Sequence, residues 1–260
     1  MRAALTVLLL AAAVAHAAED VPFVTTPDNV TRAMLDLAKV TSGDYVIDLG
    51  SGDGRIVIEA ARRGARGLGV EIDPRLVAES EAHARKAGVS SRAFFREMDL
   101  YKTDLTPASI ITMYLLPEVN LQLRPKLLRL RPGTRVVSHD WDMGDWKPDR
   151  TITLAVPDKA IGLEKSSKVH LWIVPARVDG RWCGTSRKAK VELRLVQDYQ
   201  ALKGELAFDD QPGTAISGKI RGRDLNFGAF TARAEGEDSM RVAARGALAP
   251  AAGTFKRCRR

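Results

Sequence analysis

Asp48-Leu49-Gly50-Ser51-Gly52-Asp53-Gly54-Arg55 follows the apolar run Tyr45-Val46-Ile47 and opens a helical stretch from Ile56 onward. An apolar strand, a glycine-rich turn and a helix in that order form the first unit of an open α/β sheet, with the turn at its ligand-facing edge. Glycines in such a turn let backbone N–H groups approach a ligand closely, because no side chain blocks the way. The spacing excludes two nucleotide sites. A dinucleotide fingerprint needs a third glycine at position 55, where the chain has Arg55, and no Gly-Lys-Ser/Thr follows to hold phosphate and magnesium. A second acid, Glu71, closes the next apolar run, Gly67-Leu68-Gly69-Val70. There a carboxylate can accept from two ribose hydroxyls.

Outward from this unit, strands read at 44–49, 67–71, 92–96, 109–115 and 133–138. Helices read at about 54–64 and 74–87 and from Pro117 to Leu130, after an earlier one beginning near Pro27 that carries Val30, Met34, Leu37 and Val40. Alternating β and α elements imply a parallel sheet covered on both faces. Two more strands, 151–156 and 168–175, lack a long intervening helix and would close the sheet as a hairpin-like pair. From Val178 the texture changes: Val191–Leu195, Ala215–Ile220 and Arg223–Phe227 alternate between apolar and polar residues. Gly204, Gly218, Gly222 and Gly228 fall inside or beside these runs, where bulges and tight turns need them. The pattern predicts a small antiparallel sheet or barrel. The chain therefore divides into a leader at 1–17, an α/β domain at 18–177 and a β-rich module at 178–260.

The motif Asp-Leu-Gly-x-Gly-x-Gly with an acid after the second strand resembles the class I S-adenosylmethionine-dependent methyltransferases. Pro22–Pro27, Met98-Asp99-Leu100, Tyr114-Leu115-Leu116-Pro117-Glu118-Val119-Asn120 and Arg131–His139 follow in order. Together they resemble the archaeal and mitochondrial protein-lysine methyltransferases, whose mitochondrial members act on an ATP synthase subunit and on the adenine nucleotide carrier. The resemblance runs from about Val21 to about Asp149, and more loosely to Pro175. It implies a Rossmann-like fold with a seven-stranded, mostly parallel sheet, S-adenosyl-L-methionine as cofactor and a protein lysine as substrate. The glycine turn, Gly50, Ser51, Gly52 and Gly54 after Asp48, would pass the methionine part of the cofactor. Glu71 and Ile72 would serve the ribose side, Asp99 would accept from the adenine amino group with Leu100 against the ring, and Thr26 completes the set. Tyr114, Glu118 and Asn120 would line the substrate channel and steer the incoming ammonium. No Asn/Asp-Pro-Pro-Tyr/Phe sequence follows the fourth strand, which argues against a nucleic-acid substrate. Two alternatives stay open: a small-molecule methyltransferase, and an exported, non-catalytic binding protein on the same fold.

Arg2, the apolar run Ala3–Val14 and Ala15-His16-Ala17 together read as a secretory signal. Its apolar stretch of about 12 residues is short of the ~20 that a membrane-spanning helix needs. The expected location is exported and periplasmic, with an uncleaved signal acting as a membrane anchor as the alternative. Cys183 and Cys258 fit one disulfide in an exported chain. The formal charge of +8 is uneven: residues 178–260 hold 16 Lys/Arg against 10 Asp/Glu. That balance suits weak association with anionic surfaces, although the cations are dispersed, and Lys256–Arg260 reads as a mobile tail. Asp140-Trp141-Asp142-Met143-Gly144-Asp145-Trp146 lacks the terminal acid of a calcium loop. It reads as a loop over the substrate mouth, with both tryptophans packing or touching substrate, and no metal is expected. His83, His139 and His170 have no partner at recognisable spacing and are read as structural.

Overall fold

The computed structural model describes residues 24–160, 164–185, 189–209 and 211–258. The leader at 1–17 lies outside the described residues. Helix α1 (Asp28–Leu37) precedes strand β1 (Tyr45–Leu49), helix α2 (Arg55–Arg62), strand β2 (Arg66–Glu71), helix α3 (Pro74–Lys86) and strand β3 (Ala93–Glu97). Strand β4 (Ile110–Met113), helix α4 (Pro117–Leu127) and strands β5 (Arg135–His139), β6 (Arg150–Ala155) and β7 (Ser166–Ile173) complete the first half. Its seven strands lie in the order β3-β2-β1-β4-β5-β7-β6. The first five run parallel, while β7 pairs antiparallel with both β5 and β6. The chain order reverses between β1 and β4, so a crevice opens there above the strand ends.

Period-two alternation assigns the two faces. Val46 and Ile110 point into a cluster with Val30 and Met34 of α1 and Ile56 of α2. Ile47, Leu49 and Ile111 point the other way, against Leu123 and Leu127 of α4. Helix α3 starts at Pro74, with Asp73 accepting from the Arg75 backbone N–H, as a helix start requires. Helix α4 stops at Leu127, three residues before the expected Leu130. Pro125 cannot donate a backbone hydrogen bond, and Arg129 and Leu130 instead bond three residues back, to Lys126 and Leu127, which tightens the end into a 3₁₀-like turn.

The remaining strands are β8 (Gly180–Thr185), β9 (Lys190–Asp198), β10 (Ala201–Phe208), β11 (Thr214–Arg221), β12 (Asp224–Asn226), β13 (Phe230–Ala234), β14 (Ser239–Ala244) and β15 (Gly253–Arg257). They close into an antiparallel barrel in the order β10-β11-β12-β13-β14-β15-β8-β9, filled by Trp182, Leu193, Leu206, Ile220, Met240 and Phe255. Closure leaves no strand edge unpaired. Gly204 permits the tight β9–β10 pairing, since a Cβ there would sit 1.8 Å from the Arg194 carbonyl oxygen. Lys256 and Arg257, expected in a mobile tail, belong to β15, and Cys258 is bonded to Cys183. The β9–β10 turn reaches the first half: Tyr199 stacks on Trp146 with ring centroids 6.5 Å apart, and Gln200 donates to the Lys147 carbonyl at 2.8 Å. Among the described residues no helix is long and apolar enough to cross a membrane.

The bridge spans a sequence separation of 75 residues, so opening it frees a long loop in the unfolded chain and costs about 4 kcal/mol on the chain-entropy account. The double variant Cys183→Ser/Cys258→Ser is expected to unfold at clearly lower urea than the oxidised protein, followed by far-ultraviolet circular dichroism. An unchanged midpoint would contradict that stabilising role.

Candidate functional site

Parallel pairing brings the ends of β1, β2 and β4 to one level. Asp48 lies in register with Gly69 of β2 and Thr112 of β4. Gly69 leaves room for Ser51 and Phe95, which stand 2.6 Å from where its Cβ would lie, and the Thr112 hydroxyl donates to the Asp48 carboxylate at 2.7 Å. Asp48 is only 2% exposed. Burial, followed by the negative charges of Glu71 and Asp53, pushes its carboxyl up to about 7 against the lowering by Thr112.

Gly50, Gly52 and Gly54 adopt φ of 71°, 52° and 81°, a left-handed region that glycine enters without strain. Their backbone N–H groups are not free, however. Gly50 and Ser51 both donate to the Val70 carbonyl, Gly54 donates to Ser51, and Gly52 donates to Glu71 Oε2 at 3.0 Å. The expected cradle of open N–H groups is therefore absent from these four residues. The turn is a self-satisfied loop rather than an anion nest, which suits a ligand that presents no phosphate to it. The Ser51 hydroxyl is buried without a partner and close to Gly69, not open to the crevice.

The other predicted acids stand at the neighbouring strand ends. Glu71 Oε1 accepts from the N–H of Ile72 at 2.7 Å and of Asp73 at 3.2 Å, so the carboxylate is oriented by the backbone on both sides. Asp99 accepts from the Tyr101 N–H at 2.8 Å. Ile72 is 68% exposed, Tyr101 is exposed and Leu100 half-buried, which gives this side apolar surface beside two carboxylates. A buried acid, a second acid at β2 and apolar side chains at β2 and β3 suit a cationic amino-acid end, a ribose and a flat base.

Beyond β4 the structure separates the three predicted channel residues. Tyr114 is half-buried and packs on His139, with ring centroids 3.9 Å apart. Glu118 is exposed in the first turn of α4. Asn120 is fully buried, and its amide donates to Ser138 Oγ at 3.3 Å and the Trp141 carbonyl at 3.2 Å. Apart from Glu118, it pins the loop after β5, because an inward turn of α4 faces that loop. The loop's two tryptophans also part company. Trp141 is 44% exposed, while Trp146 is buried against Trp172 and Tyr199.

His139 is the residue that sequence reasoning missed. It ends β5, and its two ring nitrogens face Thr26 Oγ1 at 3.3 Å and Ser167 Oγ at 2.9 Å. Burial holds its imidazole down at about 4, so it is neutral at pH 7. Next to it, Asp140 adopts a left-handed φ of 60° and accepts from Lys159 Nζ at 2.8 Å. The rule that ligands gather at strand ends would have found both, had it been carried from β1–β4 to β5. Thr26 belongs to this group through its hydroxyl, while its carbonyl accepts from Arg55 Nη1 at 2.8 Å. His83 and His170 remain structural, holding the Asp53 carbonyl and the Thr151 hydroxyl respectively.

The sequence matches the ANTKMT methyltransferase domain over residues 48–150. A protein-lysine N-methyltransferase of Saccharolobus islandicus is 44% identical over 135 residues, which is 51% of this chain and 84% of that protein. The adenine nucleotide translocase lysine N-methyltransferase of Mus musculus is 37% identical over 130 residues, 49% of this chain and 56% of that protein. A crystal structure described as an RNA methyltransferase from Salinibacter ruber, with S-adenosyl-L-homocysteine bound, shares 50% sequence identity. It superposes with a TM-score of 0.54 and covers 60% of this chain and 96% of that one.

The Asp48 carboxyl rises from 3.8 to about 7 on folding. The folded protein thus holds a proton that the unfolded chain has released, and stability from this group falls as the pH climbs through that window. Asp48→Asn keeps an oxygen for Thr112 and removes the ionisation. Its melting temperature should match the parent near pH 4 and exceed it by several degrees above about pH 7. A gap that does not widen between those values would refute the burial argument.

Proposed function

We propose that this chain, which belongs to the ANTKMT methyltransferase-domain family and is an S-adenosylmethionine-dependent methyltransferase, methylates the ε-amine of lysine in a protein substrate. The observation that carries the lysine reading is the 44% identity to a protein-lysine N-methyltransferase across 84% of that protein. The cofactor supplies an electrophilic methyl group, and transfer forms a nitrogen–carbon bond as the sulfur–carbon bond breaks. Asp48, with its buried carboxyl, would hold the amino-acid end, and a cation there draws the proton off it. Glu71 would hold the ribose hydroxyls, and Asp99 with Ile72 and Leu100 would hold the base.

The protein's part in such a displacement is alignment and exclusion of water. The amine must lose its proton to water first, which a poorly hydrated entrance favours. Tyr114 and neutral His139 form that entrance. The Tyr114 ring attracts an ammonium through its π face, and the imidazole adds no opposing charge. Burial and then Asp140 raise the Tyr114 phenol, so it stays protonated and can donate a hydrogen bond.

RNA is the second reading, because the 50% identical Salinibacter protein is described as an RNA methyltransferase. One incubation separates the two. Cofactor carrying a labelled methyl group, the full chain and a cell extract should give label that protease releases and ribonuclease does not, with methyl-lysine after acid hydrolysis. Label released by ribonuclease alone would overturn the lysine reading. In calorimetry, Asp48→Ala and Glu71→Gln should each weaken S-adenosylmethionine binding at least about tenfold, the scale of a lost charged hydrogen bond. Parent affinity should rise as the pH passes through about 7, where Asp48 ionises. Unchanged affinity in both variants would show that the cofactor lies elsewhere.

A further inference from the structure

The barrel lies outside the matched residues 48–150, and its outer wall carries an ordered set of groups. Ile220, Leu225, Ala232 and Val242 of β11–β14 point into the core, so the residues alternating with them face out. Register then fixes two rows. Arg221 pairs with Asp224, Asp224 with Arg233, and Arg233 with Arg241; beside them Lys219 pairs with Asn226, and Asn226 with Thr231. These groups line a groove of about 600 Å³, closed on one side by Asp149 and Gln200.

Charge within the groove is incompletely balanced. Asp224 is held by Arg233, and Arg241 bonds Glu235 at 2.7 Å. Asp149 accepts from the Ile173 N–H at 2.7 Å. Lys219 and Arg221 are exposed, and among the described residues neither has a carboxylate within ion-pair reach. Lys219 and Arg221 are two residues apart on β11 and share its outer face, so they stand roughly 6.6 Å apart, the spacing of same-face side chains on an extended peptide. Arginine forks take carboxylates by two parallel hydrogen bonds, and the Asn226–Thr231 row offers donors and acceptors to a backbone.

We propose that this face of the barrel docks an extended acidic segment of a partner polypeptide. The geometry argues against the other polyanions. Among the described residues no aromatic side chain lines the groove for a base to stack on. The surface is concave, and Val196 is the one large apolar side chain that the barrel exposes among the described residues, which gives a bilayer nothing to embed.

The test uses the full chain and a fluorescein-labelled peptide of about eight alternating Glu and Thr residues, followed by fluorescence anisotropy at low and physiological salt. Saturable binding is expected, weakened at least tenfold by Lys219→Glu/Arg221→Glu. The same charge change elsewhere on the barrel, Lys203→Glu/Lys256→Glu, should leave it within about twofold. Equal losses in both variants would reduce the effect to bulk charge and overturn the proposal, as would no binding at low salt. Tighter binding of a short RNA duplex or of anionic phospholipid vesicles through Lys219 and Arg221 would also overturn it. Lys219→Gln/Arg221→Gln serves if charge reversal impairs folding. S-adenosylmethionine binding should be unchanged in all these variants, which keeps this outcome separate from the methyl-transfer reading.

Discussion

Strand β1 lies between two parallel neighbours, and that pairing sets the level of every group in the crevice. Asp48 is flanked by Gly69 and Thr112, Leu49 by Val70 and Met113. Glu71 and Tyr114 each follow the last of these partners by one residue. Parallel strands release their chains on the same side, so the acid of β2 and the aromatic ring beyond β4 emerge at the level of the glycine turn. The cost is a buried carboxyl, tolerated because Thr112 donates to it and because it can keep its proton. A slip of one residue in β1 would turn Asp48 toward the apolar α4 face and Leu49 toward α1.

The second half of the chain enters the site's architecture through the β9–β10 turn, with Tyr199 and Gln200. Arg124 of α4 donates to the Met143 carbonyl at 2.8 Å and lies over the Tyr199 ring. Trp146 is held between Tyr199 and Trp172, and Asn120 grips the Trp141 carbonyl. The loop after β5 is thus fixed at its buried base, from helix and barrel together, while Trp141 stays exposed at the other end. A loop supported this way presents a positioned side chain rather than a fluctuating one.

The strands and helices of the first half were legible because each has its own local period, and Asp48, Glu71 and Asp99 because acids at strand ends carry a recognisable chemistry. What escaped depended on distant partners. That the turn's N–H groups are already used follows from the Val70 carbonyl on the next strand. Asn120 reads as a free polar residue until the β5 loop is seen against it, and Trp146 resembles Trp141 until Tyr199, far along the chain, covers it. The alternation of the second half allowed a small sheet or a barrel, and distant pairing decides for the closed barrel. Lys256 and Arg257, read as part of a tail, pair with neighbouring strands, Lys256 with β14 and both with β8, and such non-local pairing leaves no short-range signal.

Arg55, first an argument against a dinucleotide, has a constructive place. In the dinucleotide motif the third glycine lets the helix pack closely on its strand. Here that close approach is served from the strand: a Cβ on Gly67 would lie 2.8 Å from Val57 Cγ1. With the small residue moved to β2, position 55 can carry a long side chain. Its guanidinium binds Asp53 at 2.6 Å and the Thr26 carbonyl at 2.8 Å. Thr26 in turn meets His139, and His139 meets Tyr114. A continuous set of contacts therefore joins the glycine turn to the far side of the crevice. A glycine at 55 would leave Thr26 and Asp53 without that cation, so the departure from one nucleotide motif is also what ties the two sides of this site together.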